Sequence, residues 1–266
     1  MSAVNLSSSA RSGLSALRAV ADQMEVSQKR IATGKAINGP IDNASKFFTA
    51  AKMDARAASI DSLFDGVNNA SLALKAAGEG IKGIQGLLKE ARALTGQALA
   101  TSDEDTRASL ATQFTALTGE IARFVTDSKV NGTNLLAGGS LAVVLNEDGT
   151  SKADITGVTV TAITAPAGSW ATETNIKASV DALTTASTAL ETAAASFSAS
   201  QSLINVRQNF NTAMSNLLKT SASELTAADM DQEAANLMAL QTRQQMASTA
   251  LSIMQSSEST ALRLLR

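Results

Sequence analysis

The stretch IDSLFDGVNNASLALKAAGEGIKGIQGLLKEARALTGQA, residues 60–98, decides the architecture. Side chains recur in steps of three and four at Ile60, Leu63, Val67, Ala70, Leu74, Ala77, Ile81, Ile84, Leu88, Ala91, Thr95 and Ala98. Eleven of these twelve are apolar, and that alternation lays one stripe along one face of a helix. Working back to Asp42, whose carboxylate can cap free N–H groups, predicts one helix of about sixty residues, roughly 85 Å at ~1.5 Å per residue. Such a helix does not fit in a round domain of 27.3 kDa, so a rod is expected.

Within that stretch, Gly78-Glu-Gly-Ile-Lys-Gly83 spells G-x-G-x-x-G, with Asp103 twenty residues on from Gly83. A dinucleotide site needs the motif after a strand and at a helix start. Here it lies inside an unbroken seam, and the dinucleotide reading fails. Gly78, Gly80, Gly83 and Gly86 each cost a helix up to ~1 kcal/mol relative to Ala. Close approach of another helix or subunit would offset that cost.

On the N-terminal side, Leu14, Leu17, Ala21, Met24, then Gln28 and Ile31 form a heptad seam with one polar insertion. It stops at Gly34, Gly39 and Pro40. On the C-terminal side, Thr101-Ser-Asp-Glu-Asp105 has capping-box spacing between Thr101 and Glu104 and is read as a helix start rather than a metal site. Leu110, Phe114, Leu117, Ile121 and Phe124 follow at helical spacing.

Asn131-Gly-Thr-Asn-Leu-Leu-Ala-Gly-Gly139 closes that helix. Leu141–Leu145 and Ile155–Ile163 are then β-branched runs around the turn signal Asn146-Glu-Asp-Gly-Thr150. One β-hairpin region is expected at about 141–166, with Val158, Val160 and Ala162 alternating against Thr. Glu147-Asp148 lacks the ligand spacing of a calcium loop. Helix resumes near Thr174, with Ile176, Val180, Leu183, Leu190, Ala194 and Phe197 in one register. Leu203, Val206, Phe210, Ala213 and Leu217 hold a shifted one, which a stutter near Ser200 would explain. The polar run Lys219–Glu224 separates a last helix, where Met230, Leu237, Leu240, Ala247, Leu251, Met254, Ala261 and Leu265 keep heptad positions broken by Glu233, Gln244 and Glu258.

Composition narrows the chemistry. The 266 residues include no Cys, His or Tyr, one Trp, two Pro and 3% aromatics. His- and Cys-based catalysis, His metal ligands, imidazole-held haem, zinc knuckles and iron–sulfur clusters are all excluded. No carboxylate pair falls outside a helix cap or turn, so no enzyme, cofactor or metal is expected. A net charge of −2 leaves no electrostatic footprint for nucleic acid. No apolar run is long enough to span or insert in a membrane, and Met1–Arg11 lacks the apolar core of a cleaved secretory signal.

The two ends pose the remaining question. Each terminal segment is amphipathic, each is set off by helix breakers, and neither has much else in the chain to bury against. A lone helix pair of this size is marginal, so other copies should cover the stripes. Head-to-tail contact that does not close builds a helical filament.

At this point the residues resemble bacterial flagellin over essentially the whole chain. Leu14-Ser-Ala-Leu17, Gln28-Lys-Arg-Ile-Ala-Thr-Gly-Lys-Ala-Ile37 and Asp42-Asn-Ala44 are similar to the family's first helix and its "ISTGKRI…DNAA" stretch. Ala76-Ala-Gly-Glu-Gly80 and Leu88–Ala98 resemble its long second helix, and Asn131-Gly-Thr-Asn-Leu-Leu136 its "FNGxxLL" signature. Asp229-Met-Asp-Gln-Glu-Ala-Ala235, Leu240-Gln-Thr-Arg-Gln-Gln245, Ala250-Leu-Ser-Ile253 and Leu262-Arg-Leu-Leu265 resemble its closing helix. The pair Phe47-Phe48 suggests the short alphaproteobacterial type.

The resemblance implies a mainly α fold: a long antiparallel helical coiled-coil rod with one small β-hairpin region. Residues 1–44 and 224–266 would be a terminal coiled-coil domain lining the filament channel, disordered in the free monomer. Residues 45–223 would be the rod domain. The assembly seam would comprise Leu14, Leu17, Ala21, Met24, Ile31, Leu237, Leu240, Leu251, Met254 and Leu265. Rod packing would use Ile60, Leu63, Val67, Leu74, Ile81, Ile84, Leu88, Phe114 and Ile121. The implied function is a structural, self-assembling subunit of the extracellular flagellar filament, secreted by the type III export apparatus and serving motility. The implied partners are other copies of the chain, an export chaperone, the filament cap and hook-associated junction proteins. The alternative within this resemblance is a hook–filament junction protein, which shares both terminal helices. The stretch read by the animal flagellin receptor runs Gln-Arg-Val-Arg-Glu-Leu in typical members. Here Lys89-Glu90-Ala-Arg92-Ala-Leu94 stands in its place, which implies weak recognition.

Overall fold

The structure, a computed structural model, describes residues 8–161, 163 and 167–264. Ala162, Pro166 and Leu265 lie outside the described residues. Five long helices carry the described chain: α1 (Ser8–Thr33), α2 (Ala44–Ala100), α3 (Glu104–Asp127), α4 (Glu173–Thr226) and α5 (Met230–Leu264). Between α3 and α4 lie four short strands, β1 (Lys129–Val130), β2 (Thr133–Asn134), β3 (Ser140–Val144) and β4 (Lys152–Thr156). They pair as two separate antiparallel hairpins, β1 with β2 and β3 with β4. The chain divides into two compact units, one holding residues up to Ala55 together with those from Leu217, the other Arg56–Asn216.

The larger unit is built on α2. Val67, Ala70, Leu74, Ala77, Ile81, Ile84, Leu88, Ala91 and Ala98 form its buried stripe. Antiparallel to it runs α4, since Asn68 accepts from Gln208 (3.2 Å), Gln201 donates to Ser71 (3.1 Å) and Ser215 donates to Asp61 (2.7 Å). From α3, Leu110, Phe114 and Ile121 complete the core, together with Leu135, Leu136, Trp170, Ile176, Leu183 and Leu190. Arg107 closes the corner after α2 by donating to Thr101 O (2.8 Å) and Ala98 O (3.1 Å).

Two of the four helix glycines bring α3 close. A Cβ on Gly80 would sit 2.2 Å from Ser128 Oγ and 2.8 Å from Leu136 Cδ1, and one on Gly83 would lie 2.7 Å from the Phe124 ring. Gly78 and Gly86 face open space. Alanine at these sites should therefore act with opposite signs. Gly78→Ala and Gly86→Ala gain helix propensity, each raising stability by up to ~1 kcal/mol. Gly80→Ala forces apart Ser128, whose hydroxyl is engaged with Phe124 O (2.6 Å), and lowers stability by about 1 kcal/mol net. Urea unfolding of the three variants reads the sign directly.

Several local features differ from the sequence reading. Asp42 does not cap α2: its carboxylate accepts from the Asn38 (2.8 Å) and Gly39 (3.0 Å) amides, while Asn43 Oδ1 accepts from Lys46 N (3.0 Å). The loop before the helix folds back on Asp42, which leaves the next residue to cap. The cap of α3 is likewise Asp103, which accepts from Thr106 N (2.8 Å), and not Thr101, whose hydroxyl accepts from Asp103 N (3.2 Å). Lys219–Glu224 is continuous helix, and the break falls at 227–229, where Asp229 starts the next helix by accepting from Asp231 and Gln232 amides (both 3.1 Å). Polar residues on an exposed helix turn do not break it.

The hairpin region is also more divided than a single ribbon. Asn131 (φ 48°) and Gly132 (φ 83°) take two left-handed positions in succession, the two-residue turn that joins a tight hairpin. Beyond β4, Val158 and Val160 donate their amides to Leu135 O (2.7 Å) and Leu136 O (3.0 Å). Their alternation serves the 135–136 segment rather than a strand reaching to Ile163.

In the smaller unit α1 lies antiparallel to α5, with Gly13 at Leu251 and Ser27 at Glu233. The breaks after α1 and before α5 meet as a short bridge: Lys35 pairs with Ala227, Ala36 N donates to Thr226 O (2.8 Å), and Ala228 N donates to Gly34 O (2.9 Å).

Candidate assembly surfaces

The helical seam between α1 and α5 is the feature the sequence singles out, and its side chains sort by burial. Leu14, Leu17, Met24 and Ile31 are half-buried on α1, and Leu237 and Leu251 on α5, while Leu240 is buried. Ala21 and Met254 are exposed. The inward line on α1 passes through Leu17, Val20, Met24, Ser27 and Ile31. Spacing alone admits either 17-21-24-28-31 or 17-20-24-27-31, because both share three members. The structure takes the second, which puts Val20 and Ser27 inside and leaves Ala21 and Gln28 to solvent. The partner line on α5 is Glu233, Leu237, Leu240, Gln244, Ala247 and Leu251, an unbroken four-three alternation that includes its polar members.

Glu233 is the polar pin of this seam. It is 8% exposed, and its carboxylate accepts from Ser27 Oγ (2.6 Å) and Arg30 Nη1 (2.9 Å). The Ser27 hydrogen bond foremost, then that of Arg30, holds this carboxyl below the ordinary glutamate range. A depressed carboxyl favours pairing fully above its unpaired value. The contribution declines as pH falls below that value and is gone below the depressed one. The α1–α5 pair should therefore loosen on an acid limb that Glu233→Gln flattens, as followed by circular dichroism against pH.

Burial in this pair is sparse. Among the described side chains of α1 and α5, only Ser27, Glu233 and Leu240 are buried, whereas Val26 (46%), Met238 (68%), Met246 (60%) and Ile253 (63%) stand in solvent. The pair exposes apolar surface on the sides that do not face each other.

The larger unit behaves differently. Ile60, Val67, Leu74, Ile81, Ile84, Leu88, Phe114 and Ile121 are buried and Leu63 is half-buried. Lys89, Glu90 and Arg92 are exposed on α2, with Leu94 half-buried. Buried participants that escaped the sequence reading include Trp170, the Leu135-Leu136 pair after β2 and Ile204 on α4. The single Trp was the available signal for the first.

No group of carboxylates among the described residues is placed to hold a metal ion. None of the described helices is long and apolar enough to cross a membrane.

Comparison with known proteins bears on these surfaces. The family model for the bacterial flagellin N-terminal helical region matches residues 4–140, and that for the C-terminal helical region matches residues 180–265. Flagellin FljO of Caulobacter vibrioides is 32% identical, covering 100% of this chain and 99% of the relative. The flagellin of Brucella melitensis biotype 1 is 28% identical, with 100% of both chains covered. A crystal structure of Bacillus cereus flagellin is 17% identical and covers 54% of this chain and 86% of that one, with a TM-score of 0.48.

Proposed function

Because the chain belongs to the bacterial flagellin family, a family of structural filament subunits, we propose that it polymerises through its terminal helix pair. The observation that carries this is the sparse burial of α1 and α5. Two long helices that, among their described side chains, bury only Ser27, Glu233 and Leu240 gain little from each other. Exposed Val26, Met238, Met246 and Ile253 then find cover on other subunits.

The division falls close to the helix breaks, at 44 where α2 begins and at 224 shortly before the break at 227–229. Residues 1–44 and 224–266 form the inner, channel-lining layer and order on assembly, and residues 45–223 form the surrounding rod domain. The uncharged polar face of α5 around Gln241 and Gln245 lines a passage through which other unfolded subunits travel without adhering. Export proceeds through the flagellar type III apparatus. A chaperone covers the C-terminal helix beforehand, and the filament cap and hook-associated junction proteins contact the growing and basal ends. The assembled filament serves motility.

The test is negative-stain electron microscopy of the full chain after nucleation with a precipitating salt. Long uniform filaments are expected. Persistent monomers or short stubs would shift the reading to a hook–filament junction protein.

A further inference from the structure

The apolar spacing puts Leu203, Val206, Phe210, Ala213 and Leu217 in a register shifted from that of Ile176–Phe197. The structure shows no shift. The buried line continues evenly through Leu190, Ala193, Phe197, Ile204, Asn211 and Ser215. Between residues 206 and 217 the amphipathicity is inverted. Asn211 and Ser215 are 3% and 2% exposed, while Leu203, Val206 and Phe210 are 47%, 65% and 51% exposed. The inward polar groups are satisfied, Ser215 by Asp61 (2.7 Å) and Asn211 by Leu145 O (3.5 Å). Nothing in the unit's own packing calls for the outward apolar ones.

The same face changes character along its length. At its N-terminal end it carries exposed Thr185, Thr188 and Thr192, whose hydroxyls donate back to carbonyls one turn earlier (2.9, 3.1 and 2.9 Å). Leu203, Val206 and Phe210 continue that line at helical spacing. Charge is missing as well: between Glu191 and Lys219 the only charged residue is Arg207. An apolar, nearly uncharged face loses little on desolvation, whereas a permanently solvated helix face is ordinarily studded with charge.

We propose that the stripe Leu203–Val206–Phe210 on the outer face of α4 is a subunit contact, buried against a second copy of this chain when the filament forms. The inference rests on the filament-subunit reading and names a surface in the larger unit, distinct from the α1–α5 pair, that assembly covers. A second copy is the fitting occupant because a polymer subunit meets its own kind at high local concentration, and a heterologous contact needs an apolar patch without self-repelling charge.

Two measurements on the full chain test it. The first is the triple variant Leu203→Ser, Val206→Ser, Phe210→Ser. Its monomer should keep the parent's helix content and nearly its unfolding midpoint, because each of the three side chains is about half exposed or more. Its critical concentration for growth from parent filament seeds should rise at least tenfold. The second uses the absence of cysteine: Val206→Cys carries an environment-sensitive dye, with Asp148→Cys in the β3–β4 turn as the comparison site. The dye at 206 should be open to iodide quenching in the dilute monomer and at least fivefold protected in the filament.

A triple variant that polymerises at the parent's critical concentration, or a dye equally quenchable in monomer and filament, overturns the inference and leaves the filament-subunit reading standing. Protection already present in the dilute monomer also overturns it, since the chain's own residues would then be the cover. Failure of the unsubstituted chain to polymerise is a separate result, which removes the filament reading and this inference with it.

Discussion

Leu251→Glu should abolish filament growth while leaving the larger unit as stable as in the parent chain, and Leu237→Glu should do the same. Leu251 lies against Gly13, with its Cδ1 2.8 Å from where a Cβ on that glycine would be, so this α5 side chain packs directly on the α1 backbone. A glutamate there either keeps its charge and holds α1 away, or pairs and loses hydration, at a cost of several kcal/mol. The smaller unit has little with which to offset that cost. Among the described side chains of α1 and α5 the buried ones are Ser27, Glu233 and Leu240, and two of these are polar. A loss of about 3 kcal/mol per subunit corresponds to roughly a hundredfold rise in critical concentration, enough to leave no polymer at ordinary protein concentrations. The control is built into the chain. Its single Trp and lack of Tyr make fluorescence a report on Trp170 alone, which lies in the other unit. An unchanged Trp170 unfolding midpoint together with normal filaments would remove the terminal-pair argument.

How far the sequence was legible depended on what its apolar spacing meant at each place. Along α2 the three-four alternation and the burial coincide from Ile60 to Ala98, because that face meets partners within its own unit. Along α4 the same kind of pattern pointed to Leu203, Val206 and Phe210, which are exposed. Spacing identifies a stripe that avoids water somewhere, and says nothing of whether the cover belongs to the same chain. The α1 seam failed by a smaller margin. Leu17, Met24 and Ile31 belong to both possible phases of the heptad, and only the hydrogen bond from Ser27 to Glu233 across 206 positions of chain selects between them.

Turn chemistry was legible by residue type but not by role. Asn131-Gly132 was read as a helix stop, yet its two left-handed residues also close the β1–β2 hairpin. Val158 and Val160 looked like a hairpin strand because alternation does not reveal which backbone will accept the amides. The acceptors, Leu135 O and Leu136 O, lie more than twenty residues back. Caps were the least legible feature, each shifted by one or two residues where neighbouring Asp, Asn and Thr compete for the same amides.

Phe114→Ala is the core substitution expected to cost most, about 3–5 kcal/mol of the larger unit's stability. Phe114 is fully buried on α3, and its ring centroid is 5.0 Å from that of Trp170 at an interplanar angle of 59°. Trp170 in turn donates Nε1–H to Ser179 Oγ at 2.9 Å, so the two rings bridge α3 to the start of α4. The backbone around the tryptophan gives the site little room to relax, because Gly168, Ser169 and Trp170 all hold positive φ (54°, 49° and 62°). A cavity beside a segment so constrained collapses poorly, which places the cost toward the upper end of the range. For a unit of this size the loss amounts to roughly 10 °C in unfolding temperature. Because Trp170 loses its covering ring, native emission should also move to the red, a shift that a distant destabilising substitution would not produce. Trp170→Phe separates the two contributions. It keeps most of the apolar volume but removes the indole N–H, and Ser179 still donates to Asn175 O (3.3 Å). Its cost should therefore be about 1–2 kcal/mol. Thermal unfolding followed by circular dichroism, which does not depend on the tryptophan, ranks the two variants. Equal stability of Phe114→Ala and the parent would mean that the aromatic pair fills space without holding α3 to α4.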